Sequence, residues 1–215
     1  MKTSLLLKTK LLSLFLNFLN PTNQHNYQKF HQIKNIWSNV FLDKLEGDYI
    51  EFGIFKGKSL YHSLKTYRKI YKENNKSFYG LDSFEGFPVE NHNFFKNENF
   101  KSSYQDVCNT FKKYNNVYIE KGFFSDSLKT ERLTKVDKIC FAFVDCDIYE
   151  SSIEVFEYLK PRMVSGGFIM IDDFLNVDNN GKTIMSALFL NYELNQNIFF
   201  YSHYSNGQVF RVLEN

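Results

Sequence analysis

Two acidic clusters hold the side chains best suited to chemistry: Val144-Asp145-Cys146-Asp147-Ile148-Tyr149-Glu150-Ser151 and Gly166-Gly167-Phe168-Ile169-Met170-Ile171-Asp172-Asp173. Each cluster follows an apolar run that reads as a buried strand, residues 139–144 in the first case and 168–171 in the second. Neighbouring parallel strands ending together would bring Asp145, Asp147, Asp172 and Asp173 to one edge of a sheet. Carboxylates so close repel one another, and burial adds to the cost of keeping them ionised. A divalent cation is the simplest compensation. Oxygen ligands of this kind suit Mg²⁺, with Mn²⁺ or Ca²⁺ as alternatives. The plainer reading of the same residues is a set of helix N-caps.

Two further motifs precede these clusters. Glu51-Phe52-Gly53-Ile54-Phe55-Lys56-Gly57-Lys58-Ser59 leaves a strand and opens a helix. Its glycines allow close approach of a ligand to the backbone, and a helix N-terminus attracts an anion. It matches neither the dinucleotide fingerprint nor a P-loop, and an ordinary glycine-rich turn would look similar. Gly80-Leu81-Asp82-Ser83-Phe84-Glu85-Gly86 ends a second strand on a carboxylate, where an acid accepts both hydroxyls of a ribose. Cys146 stands between two aspartates, but neighbouring carboxylates disfavour its thiolate, and alternation turns it to the face opposite Asp145. The histidines at 25, 31, 62, 92 and 203 are scattered and read as surface or structural residues.

These residues need a scaffold. Apolar spacing predicts a helix over 27–45, after a break at Asn20-Pro21. Strands are expected at 48–52, 77–81, 117–120, 139–144 and 168–171, and helices at 60–71, 103–113, 128–133, 152–159 and 182–192. The last pair of strands, 197–201 and 208–213, flanks Ser205-Asn206-Gly207, a hairpin turn. Strand–helix alternation closed by a hairpin implies an α/β fold: a doubly wound, mostly parallel sheet with an antiparallel edge. Ligands of such sheets bind beyond the C-terminal strand ends, where Gly53, Asp82, Gly122, Asp145 and Asp172 fall.

The chain's 215 residues suit one core-bearing domain. With 26 basic and 24 acidic side chains, the formal charge of +2 gives no reason to expect nucleic acid as partner. Three cysteines without framework spacing fit a reducing cytoplasm, and none belongs to a zinc-type cluster. The N-terminal apolar run is broken by Lys8 and Lys10 and lacks a cleavage site, and residues 11–19 are too short to span a bilayer. Residues 1–46 are expected to form a helical cap over a catalytic domain at 47–215. Its first helix would cover the site or a partner, with weak membrane contact as the minor alternative.

Taken in order, Glu51-Phe52-Gly53 with Gly57, Leu81-Asp82-Ser83-Phe84-Glu85-Gly86-Phe87-Pro88, Lys121-Gly122-Phe123-Phe124, Asp145-Cys146-Asp147-Ile148-Tyr149-Glu150-Ser151 and the segment from Pro161 to Phe174 resemble the macrocin O-methyltransferase (TylF-type) family. These are class I S-adenosylmethionine-dependent enzymes. The resemblance implies a seven-stranded sheet whose final strands are the hairpin pair. It implies that Glu51, Gly53 and Gly57 line the methionine end of the cofactor, with Ser59 and Asp145 also among the cofactor-binding residues. Asp82 would hold the ribose, with Ser83 and Phe84 beside it, and Gly122 and Phe123 would lie near adenine. Asp145, Asp172 and Asp173 would bind Mg²⁺, and Asp147 would be the general base. The acceptor would be a hydroxyl of a sugar, a glycosylated small molecule or a surface glycan, and the protein a homo-oligomer, as a dimer or larger. A metal-dependent phosphohydrolase or phosphotransferase and a non-catalytic methyltransferase-like scaffold are the competing readings.

Overall fold

The computed structural model describes residues 20–72, 75–90, 92 and 96–213, together with Lys8, Lys10 and Ser13. The helix expected within residues 1–19 otherwise lies outside the described residues.

The first described helix, α1 (Pro21–Leu42), begins earlier than apolar spacing suggests. Asn20-Pro21 is its start signal. Asn20 caps the helix by accepting the Asn23 N–H at 2.8 Å, and Pro21 occupies the first turn, where its missing N–H costs nothing. The added turns place His25 and Lys29 at i, i+4 spacing on the stripe that continues through Gln32, Ile33, Ile36, Trp37 and Val40.

The chain then alternates. β1 (Asp48–Phe52), α2 (Lys58–Ile70) and β2 (Phe78–Asp82) are followed by α3 (Tyr104–Phe111) and β3 (Val117–Lys121). Two short helices come next, α4 (Phe124–Ser127) and α5 (Glu131–Thr134), where one helix over 128–133 was expected. Residues 128–130 form the turn between them, because Phe124 and Leu133 are both drawn into the core. β4 (Ile139–Val144), α6 (Tyr149–Leu159), β5 (Met163–Ile171) and α7 (Ile184–Asn191) lead to the antiparallel pair β6 (Ile198–Tyr204) and β7 (Gly207–Val212). Ser205 and Asn206 make the connecting turn.

The seven strands lie in the order β3-β2-β1-β4-β5-β7-β6, parallel except for β7 and β6. Phe52 pairs with Leu81 on one side and Val144 on the other, and Val144 pairs with Ile171. The strand ends therefore finish in step, and chain order reverses between β1 and β4, the position at which such sheets bind ligands.

Period-two alternation sorts the side chains to two cores. Phe141 and Phe143 of β4 face α1 and α2, with Trp37, Tyr67 and Phe168, while Ala142 and Val144 face α6 and α7, with Phe156, Leu159 and Leu188. Continuing the count beyond β4 sends Asp145 to the α1 side and Cys146 to the α6 side, and beyond β5 it sends Asp172 to the α1 side, after Phe168 and Met170.

Candidate functional site

The acidic residues do converge at the strand ends, and the structure divides them into two groups. One oxygen from each of Asp145, Asp147 and Asp173 lies within 4.8 Å of the others. Asp172, only 2% exposed, turns instead to α1: its Oδ2 is 3.1 Å from His25 Nε2 and is also paired with the Lys29 ammonium. Lys29 Nζ bridges onward to Asp145 Oδ2 at 3.0 Å and lies over the Phe143 ring. His25, expected to be a surface or structural residue, is thus a neighbour of the acidic cluster. Extending the buried stripe of α1 backward from Ile33 in steps of four would have found both cations.

The electrostatics follow from burial and charge. Burial raises Asp145, Asp147 and Asp173; the Lys29 charge opposes this at Asp145, neighbouring carboxylates raise Asp147 further, and at Asp173 the Asp172 charge raises the carboxyl while a hydrogen bond with Asp147 lowers it. Burial also works against ionisation of Asp172, but the His25 hydrogen bond and the Lys29 charge outweigh it and bring that carboxyl down to about 2. The Asp172 hydrogen bond in turn raises His25. Asp147 (φ 63°) and Asp173 (φ 47°) both hold left-handed backbone, uncommon for residues other than glycine. The convergent oxygens of Asp145, Asp147 and Asp173 are a hard donor set that fits a divalent cation such as Mg²⁺.

Beside these acids opens a cavity of about 220 Å³. Gly53, Phe55, Asp82, Ser83, Gly122, Phe123, Asp145 and Asp147 line it; Gly122 N–H donates to Asp82 O at 3.0 Å, and the Gly53 backbone packs against that of Asp145. Phe87, Pro88, Val89 and Phe100 wall it from the loop after β2, while Glu150, Ser151 and Glu154 of α6 face it. Asp82 is fixed by two backbone donors, Phe55 N–H to Oδ2 at 2.7 Å and Phe84 N–H to Oδ1 at 2.6 Å. A carboxylate retains lone pairs for further donors, so these bonds orient it without exhausting it. The Ser83 hydroxyl donates to Gly86 O at 2.5 Å and shapes the turn.

Not every expected cofactor residue reaches the cavity wall. Glu51 is fully buried, accepting from the Tyr49 hydroxyl at 2.5 Å and from Ser59, so both Glu51 and Ser59 support the Gly53 turn. Gly57 caps α2 with φ 73°, and a Cβ there would meet the Phe111 ring at 2.9 Å. Phe84 is buried edge-on against Tyr104. Cys146 is 5% exposed with its Sγ 3.4 Å from Ser152 Oγ, and burial pushes its thiol up to about 12, which leaves it unreactive. Phe55 and Phe87 lie within the quoted motifs but were not singled out, and neither was Phe100, because aromatics are abundant throughout this chain.

The strand order, the hairpin edge and a cleft at the β1–β4 switch define the class I methyltransferase fold. Among solved structures, the O-methyltransferase NovP superposes with a TM-score of 0.71 at 18% identity, covering 87% of this chain and 80% of its own. CalS11, a calicheamicin methyltransferase, gives 0.68 at 18% identity, covering 94% of this chain and 90% of its own. The chain belongs to the macrocin O-methyltransferase (TylF) family, whose model matches residues 25–196. Its relatives include demethyldecarbamoylnovobiocin O-methyltransferase of Streptomyces niveus, 23% identical over 72% of this chain and 64% of that protein. Mycinamicin III 3''-O-methyltransferase of Micromonospora griseorubida is 22% identical over 72% of this chain and 66% of its own length. The match thus spans slightly less than two thirds of these relatives. Among the described residues no helix is long and apolar enough to cross a membrane.

Proposed function

We propose that this protein is a Mg²⁺-dependent S-adenosylmethionine O-methyltransferase acting on a hydroxyl of a sugar, of a glycosylated small molecule or of a surface glycan. The observation that carries the reading is one cleft at the switch point of the sheet lined by Asp82 together with Asp145 and Asp147, whose oxygens converge with that of Asp173. The two relatives named above are O-methyltransferases, and one acts on the 3'' position of mycinamicin III.

In this reading Asp82 accepts the ribose hydroxyls, the Gly53 turn lets the methionine end approach the backbone, and Gly122 with Phe123 holds the adenine. Asp145 and Asp173 hold the cation. Asp172, the third ligand implied by the family resemblance, contributes through Lys29 and His25. Asp147 takes the proton of the acceptor hydroxyl, and burial, which raises its carboxyl well above the ordinary value, makes it a stronger base than a surface carboxylate. The bound cofactor supplies an electrophilic methyl group and the cation a Lewis acid. The loop carrying Phe87 and Phe100 excludes water from the transfer. We further propose that residues 1–46 act as a helical cap on a catalytic domain at 47–215, and that the protein works in the cytoplasm as a homo-oligomer.

The test is calorimetric titration with S-adenosylhomocysteine, followed by transfer of labelled methyl groups to glycosylated acceptors bearing neighbouring free hydroxyls. Saturable binding and transfer abolished by EDTA and restored by Mg²⁺ are expected. Absence of S-adenosylhomocysteine binding would remove the methyltransferase reading. Phosphate release from an aryl phosphate without such binding would favour the phosphohydrolase.

A further inference from the structure

The acidic cluster has a partner inside the chain. Lys29 Nζ is 3.0 Å from Asp145 Oδ2 and is also bonded to Asp172 Oδ2, and its side chain is 12% exposed. His25, one turn earlier on α1, stands 3.1 Å from the same Asp172 oxygen. The arrangement is built by periodicity at both ends. Alternation along β4 and β5 sends Asp145 and Asp172 to the α1 side, and i, i+4 spacing along α1 sends both cations to meet them. Asp147 and Asp173 receive no cation from α1, and they share with Asp145 the cluster of oxygens suited to a metal.

We infer that Lys29 is a resident counter-ion of the acidic cluster, occupying the place between Asp145 and Asp172 and competing with a divalent cation for Asp145. The inference rests on the metal reading proposed above. The ammonium balances charge before any metal arrives. It therefore lets the strand ends close and α1 dock without a cation, because a buried carboxylate left without a partner is costly. The same positive charge then opposes the divalent ion through repulsion and through its hold on Asp145 Oδ2. Lys29 is a positioning residue in this scheme, and its loss should be offset by metal.

The experiment compares wild-type protein with Lys29→Met, Lys29→Gln and Lys29→Arg. Mn²⁺ affinity is read by paramagnetic resonance, and the melting temperature is read with and without Mg²⁺. Removing a unit charge this close to the metal position should tighten Mn²⁺ binding about tenfold or more in Lys29→Met. The melting temperature should fall without metal and recover most of the loss in saturating Mg²⁺. Lys29→Gln, which keeps hydrogen-bonding capacity without the charge, should show the same tightening and serves if Lys29→Met does not fold. Lys29→Arg should bind Mn²⁺ as wild type does. Unchanged Mn²⁺ affinity in the neutral variants, or no Mn²⁺ binding by any of these proteins, overturns the inference, as does a melting deficit that Mg²⁺ leaves untouched. S-adenosylhomocysteine titration of the same samples reports on the cofactor reading separately.

Discussion

A Cβ built on Gly53 would stand 1.8 Å from the backbone oxygen of Asp145. β1 and β4 therefore leave the sheet in backbone contact, with Asp145 N–H donating to Phe52 O at 2.9 Å, while Gly53 N–H donates to Leu81 O of β2 at 2.8 Å. No side chain fits between the glycine that follows β1 and the first aspartate of the acidic cluster. The two halves of the site are held at a fixed spacing by the absence of an atom.

Gly53→Ala should force these ends apart. The residue also holds φ 86°, a conformation unfavourable for alanine. A stability loss of about 2–4 kcal/mol is expected, with weakened S-adenosylhomocysteine binding. Thermal melts and titration calorimetry check both. Wild-type values in the variant would show that the strand ends can separate freely.

Asp147→Asn keeps the shape of the cluster and removes the proposed proton acceptor. Turnover should fall about 10²–10⁴-fold, the usual contribution of a positioned base. S-adenosylhomocysteine affinity should change little, because the proposed cofactor contacts are Asp82 and the Gly53 turn. Single-turnover methyl transfer measured beside titration separates the two effects, and full activity would take Asp147 out of the base role.

Much of this site was legible in the chain because its signals are local. An apolar strand ending in an acid announces its own position, and the Asp145 and Asp172 clusters, the Asp82 turn and the closing hairpin all have that form. Register was legible too, since strands of similar length must finish together for their ends to meet. The cations Lys29 and His25 were hidden for a different reason. Asn20-Pro21 reads as a break when it is a cap, so the first turns of α1 were cut off and their stripe was not extended. The separation of Asp172 from Asp145, Asp147 and Asp173 was hidden because it depends on what α1 brings from more than a hundred residues away. Gly57 and Phe84 sit inside recognisable motifs yet face the core, since a motif specifies a turn without stating which of its side chains the turn exposes.

Asp82→Asn tests the ribose anchor. The aspartate accepts backbone N–H groups with both oxygens, so the amide must turn an N–H₂ toward Phe55 or Phe84. Hydrogen bonds to a charged acceptor contribute about 1.5–3 kcal/mol each, so S-adenosylhomocysteine affinity should fall roughly tenfold to a hundredfold. Calorimetric titration measures the change. An unaltered dissociation constant would place the ribose elsewhere in the cleft.

Glu51 should make stability depend on pH in an unusual direction for a carboxylate. The side chain has no exposure, and burial pushes its carboxyl up from 4.5 to about 7 despite hydrogen bonds from Ser59 and Tyr49 that favour the charged form. Between those two values the folded chain keeps a proton that the unfolded chain has lost, so stability falls as pH rises. The favourable contribution is complete below pH 4.5 and is lost as pH rises through about 7. The shift corresponds to about 3 kcal/mol. Glu51→Gln carries no titrating group, so its stability relative to wild type should improve by that amount from pH 4.5 to above pH 7, as read by melting curves across the range. Parallel profiles for the two proteins would mean that Glu51 keeps an ordinary carboxyl, and that the Gly53 turn rests on a charge already present at acid pH.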